Sequence, residues 1–254
     1  NQMCVKPLMF IGTTDRSAGC PARYVKSRSS IMSIATTNPT TGKTIRTFEP
    51  YSAAKVNEAI GRGAAAYRHH RRTSFADRAS RMRKAAEILV AESGELGRLM
   101  TLEMGKPIKA GVAEAEKCAT ACRYYAENAE RFLADRPVEM EGGKSWVAFQ
   151  PIGVVLAIMP WNFPFWQVFR FAALSLMACN VGILKHATNV LNLALAIEAI
   201  LRRAGVADGV FQYLLIGSAM FDRIIADVTT PAIPPTGHYG SDRPAASDAN
   251  RDLA

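Results

Sequence analysis

The chain has 254 residues, 49% of them hydrophobic, with a mean hydropathy near zero and a formal charge of +9. Most of such a chain can bury a core, in one large domain or two small ones, and no repeat with a period of about 20–50 residues is visible. The longest apolar run, Phe171 to Leu184, is interrupted by Ser175 and Asn180 and falls short of the roughly 20 residues that span a bilayer.

Residues 1–31 have no sustained periodicity and read as a disordered extension. Their brief apolar patch, Pro7 to Gly12, lacks a small-residue cleavage site, so a signal peptide is not expected. From Met32 the pattern changes. The run Asn38 to Lys43 (NPTTGK) carries Pro and Gly where strands reverse. Three amphipathic helices are expected next. Ala53, Val56, Ala59, Ile60, Gly63, Ala64 and Tyr67 mark the first. Phe75, Ala79, Met82, Ala86 and Leu89 mark the second, with hydroxyl caps available at Thr73 and Ser74. The third runs from about Pro107 to Ala134, with Ile108, Val112, Ala115, Ala119, Cys122 and Phe132 on one side.

The period then switches. Val138 to Phe149 forms two short extended runs about Gly142 and Gly143, a pair that permits the positive φ of a tight hairpin turn. Three apolar strands follow, Gly153 to Met159, Val181 to Leu184 and Phe211 to Ile216. Helices over roughly 164–178 and 189–204 separate them. Continuous apolar strands alternating with helices predict a doubly wound α/β fold, its parallel sheet covered on both faces. Ligands of such a sheet bind beyond the carboxyl ends of the strands. Where a fourth strand is due, Val228 to Pro235 holds Pro231, Pro234 and Pro235, which cannot donate to a central ladder. Residues 228–254 therefore read as a diverged or disordered tail, and the third strand as an unpaired edge.

Charge and cysteine usage narrow the chemistry. Arg62, Arg68, Arg71, Arg72, Arg78, Arg81, Arg83 and Lys84 face only Asp77 in their stretch. Tyr67 and Phe75 lie on apolar stripes, so a solvated helix face is expected rather than a nucleic-acid surface. Cys4, Cys20, Cys118, Cys122 and Cys179 make no CxxC pair and no metal spacing with His. They read as small apolar residues of a reduced, cytoplasmic protein, with no metal site and no membrane partner.

The candidate site is Pro160-Trp161-Asn162-Phe163-Pro164, where the first parallel strand ends and a helix begins. Two prolines stiffen the turn, and its amide side chain can donate to a developing oxyanion. The run from Pro151 to Val190, with TLEMGKP (Thr101 to Pro107) and RRAGVADGVFQYLLIG (Arg202 to Gly217), closely resembles aldehyde dehydrogenases, especially the succinate-semialdehyde branch. The likeness runs from about Met32 to Asp227, which makes 32–227 the family's cofactor-binding domain, with a hairpin at about 138–150.

The resemblance implies roles by position. Asn162 would be the catalytic oxyanion-hole amide, also within the dinucleotide cleft that Trp161 lines. Lys185 would bond the adenosine ribose, beside His186, Ala187 and Thr188. A neutral Thr188 where NAD-preferring members often carry Glu favours NADP, with NAD possible. Gly237 and His238 would form the glycine turn near the nicotinamide, with His238 where Ser is usual. Leu174 stands where Pro is usual, and Cys179 where Gly is usual. No GxGxxG is present, and the family's dinucleotide binding is atypical. The resemblance also places the nucleophilic cysteine, the general-base glutamate and the catalytic domain beyond this chain, which then reads as truncated and inactive. An aldehyde substrate and homo-oligomers are further family expectations. A non-catalytic dinucleotide-binding or assembly module is the alternative.

Overall fold

The computed structural model describes residues 33–139, 143–217 and 220. The expectations for residues 1–31 and 228–254, and for Gly237 and His238, lie outside them. The first elements are an antiparallel pair, β1 (Ile34–Thr37) and β2 (Thr44–Phe48). Asn38 makes the turn between them: its Oδ1 accepts from the Thr40 and Thr41 amides, and Gly42 takes the positive φ of 68°.

Four helices follow, not three: α1 (Ala53–His70), α2 (Phe75–Ala91), α3 (Ser93–Met104) and α4 (Ile108–Phe132). Ser52 caps α1 and Ser74 caps α2, each hydroxyl accepting from a first-turn amide. The added helix is α3. Its Gly94 and Gly97 lower helix propensity, yet Leu96 and Met100 bury one side and Gly105 stops it in the left-handed conformation, φ 73°. Two single-residue expectations fail here. Ile108 is half exposed, because the buried face of α4 runs through Gly111, Glu114, Ala115, Cys118 and Cys122. Arg78, assigned to a solvated basic face, is buried. Its Nε donates to Met177 O at 3.0 Å, its Nη1 to Thr73 O, and its guanidinium lies 4.3 Å from the Phe75 ring centroid.

The hairpin pairs β3 (Arg136–Val138) with β4 (Ser145–Val147). Its first arm starts two residues early, and its last pair, Val138 and Ser145, leaves residues 139–144 as the connection. The tight turn expected at Gly142 and Gly143 falls in part on residues 140–142, outside the described residues. The parallel sheet has order β5 (Val154–Met159), β6 (Val181–His186), β7 (Phe211–Tyr213). The crossovers are α5 (Pro164–Met177) and α6 (Leu191–Arg203). β7 is half the expected length, and among the described residues it pairs only with β6.

Alternation within these apolar strands serves both faces. Val154, Leu156, Val181 and Ile183 pack on α1 through Val56, Ala59 and Ile60. Val155, Ala157, Met159 and Leu184 face α5, α6 and the helices behind them, where Phe165 and Phe169 are fully buried. Burial of each such side chain contributes about 1.5–3 kcal/mol. α4 packs on α2, α3 and α5. Against α3 the backbones pack tightly: a Cβ built on Gly111 would lie 2.8 Å from Gly97 Cα.

α5 ends in a Schellman turn: the Cys179 amide donates to Leu176 O and the Asn180 amide to Ser175 O. Cys179 thereby takes φ 64°, the only positive value at a non-glycine among the described residues. Glycine, the residue usual there in the resembling family, holds this conformation without a Cβ clash. Cys179→Gly is expected to raise stability by about 0.5–1 kcal/mol, read from urea unfolding midpoints; a lower midpoint would contradict it.

Candidate functional site

The turn after β5 presents Trp161 and Asn162 to solvent, with Trp161 51% exposed. Asn162 Oδ1 accepts from the Phe163 amide at 3.1 Å. This fixes the carboxamide and leaves its NH2 as the donor at the turn, with no partner among the described residues. The amides that follow are already taken. Pro164 has none, and the Phe165 and Trp166 N–H groups both donate to Glu114 Oε1 at 2.9 Å. Glu114 thus caps α5 from α4, fifty-one residues away in the chain. Its other oxygen pairs with Lys106 Nζ, which also donates to the Asn162 carbonyl at 3.3 Å and lies 4.2 Å from the Phe163 ring centroid.

The turn after β6 repeats the device. Glu103, at the end of α3, accepts from the Asn192 amide at 3.0 Å, the Leu193 amide at 2.9 Å and the Asn192 side chain at 2.7 Å. Burial pushes its carboxyl above the usual range, partly offset by these hydrogen bonds. The N-termini of α5 and α6 are where a phosphate-binding glycine loop would place its anion. Here protein carboxylates fill both, which supplies a physical reason for the missing GxGxxG.

The predicted cofactor residues separate into two kinds. Lys185, half-buried at the end of β6, has no hydrogen-bond or ion-pair partner among the described residues, and burial lowers its pKa. Thr188 is exposed. His186, by contrast, is buried and committed: Nε2–H donates to Pro164 O at 3.0 Å, and Nδ1 accepts from the Ala187 amide at 2.9 Å. Its ring is neutral, its pKa pushed down to about 4 by burial, and it locks the two turns together. Ala187 N–H also donates to Met159 O at 3.1 Å, so this amide too is used inside the fold.

Trp161, Asn162 and Thr188 thus lie in the turns beyond the carboxyl ends of β5 and β6, and Lys185 is the penultimate residue of β6. The described thiols are elsewhere. Cys118 and Cys122 are buried, and burial pushes the Cys122 thiol up to about 12 and Cys118 higher still. Cys179 sits at the opposite end of α5, a helix about 20 Å long.

The model of the aldehyde dehydrogenase family matches residues 24–253. The chain belongs to the aldehyde dehydrogenase family. It is 51% identical over 196 residues to a probable NADP(+) succinate-semialdehyde dehydrogenase of Synechocystis, covering 77% of this chain and 43% of that protein. It is 46% identical over 226 residues to the NADP(+) succinate-semialdehyde dehydrogenase of Mycobacterium avium, covering 87% and 48%. The chain thus spans about half the length of the relatives it matches. A solved succinic semialdehyde dehydrogenase of Streptococcus pyogenes, in complex with NADP+, superimposes with TM-score 0.83 at 28% identity, covering 87% of this chain and 49% of that one. The chain has the α/β fold expected of the family, with its parallel sheet, helices and hairpin.

Three residues that build this edge, Glu103, Lys106 and Glu114, carry no local signal of their roles. Their partners lie 51–90 residues away. The one hint is the TLEMGKP motif, which contains Glu103 and Lys106 and enters the sequence reading only as part of the family resemblance.

Proposed function

We propose that this chain provides the NADP-binding part of a dehydrogenase that oxidises succinate semialdehyde to its acid. The observation that carries this reading is Lys185, a half-buried ammonium with no hydrogen-bond, ion-pair or carboxylate partner among the described residues, beside an exposed Thr188. That environment suits the ribose and 2′-phosphate of NADP. Trp161 would flank the dinucleotide, and Asn162 would lend its NH2 to the aldehyde oxygen as negative charge develops there. NADP, when bound, supplies the two-electron acceptor. The names of the Synechocystis and Mycobacterium avium relatives support both the aldehyde and the cofactor.

The thiol that attacks the aldehyde carbon must come from outside the described residues, because Cys118, Cys122 and Cys179 are buried or at the wrong end of α5. Neither Cys4 nor Cys20 matches the context that the family resemblance gives the nucleophile, so the 254-residue polypeptide is expected to bind NADP more tightly than NAD and to give no aldehyde-dependent NADP reduction. Thr188→Glu is expected to lower NADP affinity about tenfold or more by placing a carboxylate against the 2′-phosphate. Calorimetric titration with both dinucleotides checks this. Equal NADP affinity in Thr188→Glu would remove the cofactor assignment, and turnover that survives Cys118→Ala, Cys122→Ala and Cys179→Ala together would locate the nucleophile among Cys4, Cys20 or another group.

A further inference from the structure

We propose that Lys106 and Glu114 are positioning residues for Asn162, acting through one buried ion pair. The inference rests on the reading of Asn162 as the oxyanion donor. The Asn162 turn has little internal support: Trp161, Asn162 and Phe163 are all exposed, and Asn162 makes its own side-chain bond only to the next amide. Outside help comes from α4 and the residues before it. Glu114 divides its two oxygens, one accepting from the Phe165 and Trp166 amides and one paired with Lys106. Lys106 then reaches across to the Asn162 carbonyl and the Phe163 ring.

Both side chains are withdrawn from solvent, at 10% exposure for Lys106 and 3% for Glu114. A pair so placed keeps most of its geometry, because each partner is desolvated and each retains further hydrogen bonds. The cap fixes where α5 begins. The ammonium fixes the plane of the peptide that follows Asn162, and with it the Phe163 N–H that orients the carboxamide. The NH2 is aimed by a chain of contacts that starts on a different helix.

Amide hydrogen exchange on the full chain tests this at single residues. In Lys106→Met, which keeps the apolar stem, exchange at Phe163 is expected to accelerate about tenfold, the effect of one charge-assisted hydrogen bond. Asn192 and Leu193, capped independently by Glu103, are expected to keep their rates, and Lys106→Arg to restore Phe163. Glu114→Gln retains an acceptor for Phe165 and Trp166 while neutralising the pair, so Phe163 alone is expected to accelerate. Unchanged exchange at Phe163 in Lys106→Met overturns the proposal. So does equal acceleration at Asn192 and Leu193, which would mark general destabilisation, or failure of Lys106→Arg to restore. A parallel NADP titration of the unaltered chain scores the functional reading separately: no binding there defeats that reading and leaves the exchange result standing.

Discussion

Lowering the pH from 7 to 5 is expected to cost the folded chain about 2 kcal/mol for each of two buried histidines. His70 and His186 are both held neutral, burial pushing each down to about 4 from 6.5. The unfolded chain binds protons at these sites from about pH 6.5 downward, whereas the folded chain resists until about 4. Stability is therefore full above pH 6.5 and is lost progressively as the pH falls towards 4. The structural cause differs at the two sites. Protonating His186 puts a hydrogen on Nδ1, so the bond it accepts from the Ala187 amide is lost, and burial of the charge outweighs what the Pro164 and Met159 carbonyls return. Protonating His70 creates a donor at Nδ1, which is buried with no partner among the described residues, near Arg78 and Arg81. Glu103 and Glu198 work in the opposite direction, because burial raises their carboxyls and acid relieves that cost. The histidine contribution is isolated by comparing His70→Gln and His186→Asn with the parent. Each is expected to flatten the difference in urea-unfolding free energy between pH 7 and pH 5 by about 2 kcal/mol. Parallel pH profiles in all three proteins would refute the assignment.

The second large effect is steric. Gly111→Val is expected to destabilise the fold by about 3 kcal/mol, at the upper end for overpacking, because the clash is with backbone. A Cβ at Gly111 would lie 2.8 Å from Gly97 Cα and 3.1 Å from Gly97 O, and neither can swing aside as a side-chain tip would. α3 and α4 must then separate, and these helices carry the two capping carboxylates, Glu103 and Glu114. NADP affinity is expected to fall together with stability. Gly61→Ala is the matched control: nothing lies within 4 Å of its would-be Cβ in the middle of α1. It is expected to stabilise by about 0.5–1 kcal/mol through helix propensity. A Gly111→Val chain as stable as the parent would show that the two helices do not set each other's position.

Much of this architecture was legible residue by residue. The apolar strands expected at 153–159 and 181–184, the stripes of α1 and α2 and the Ser74 cap follow from periodicity and local hydrogen-bonding chemistry, which act within a few residues. The turn at Asn162 was visible for the same reason, since proline geometry is local, and the family resemblance carried Asn162, Lys185 and Thr188 to the site edge. Tertiary structure decided what depended on distant partners. A buried arginine such as Arg78 reads as solvent-facing until Met177 O and Thr73 O are brought to it. α3 escapes notice because its glycines lower local propensity, while the close approach to α4 that rewards Gly97 is set by Gly111 on another helix. Glu103, Lys106 and Glu114 look like ordinary charged surface residues in a helical register. They become the supports of the site only because folding brings the N-termini of α5 and α6 against them, where free amides deep in the fold require an acceptor.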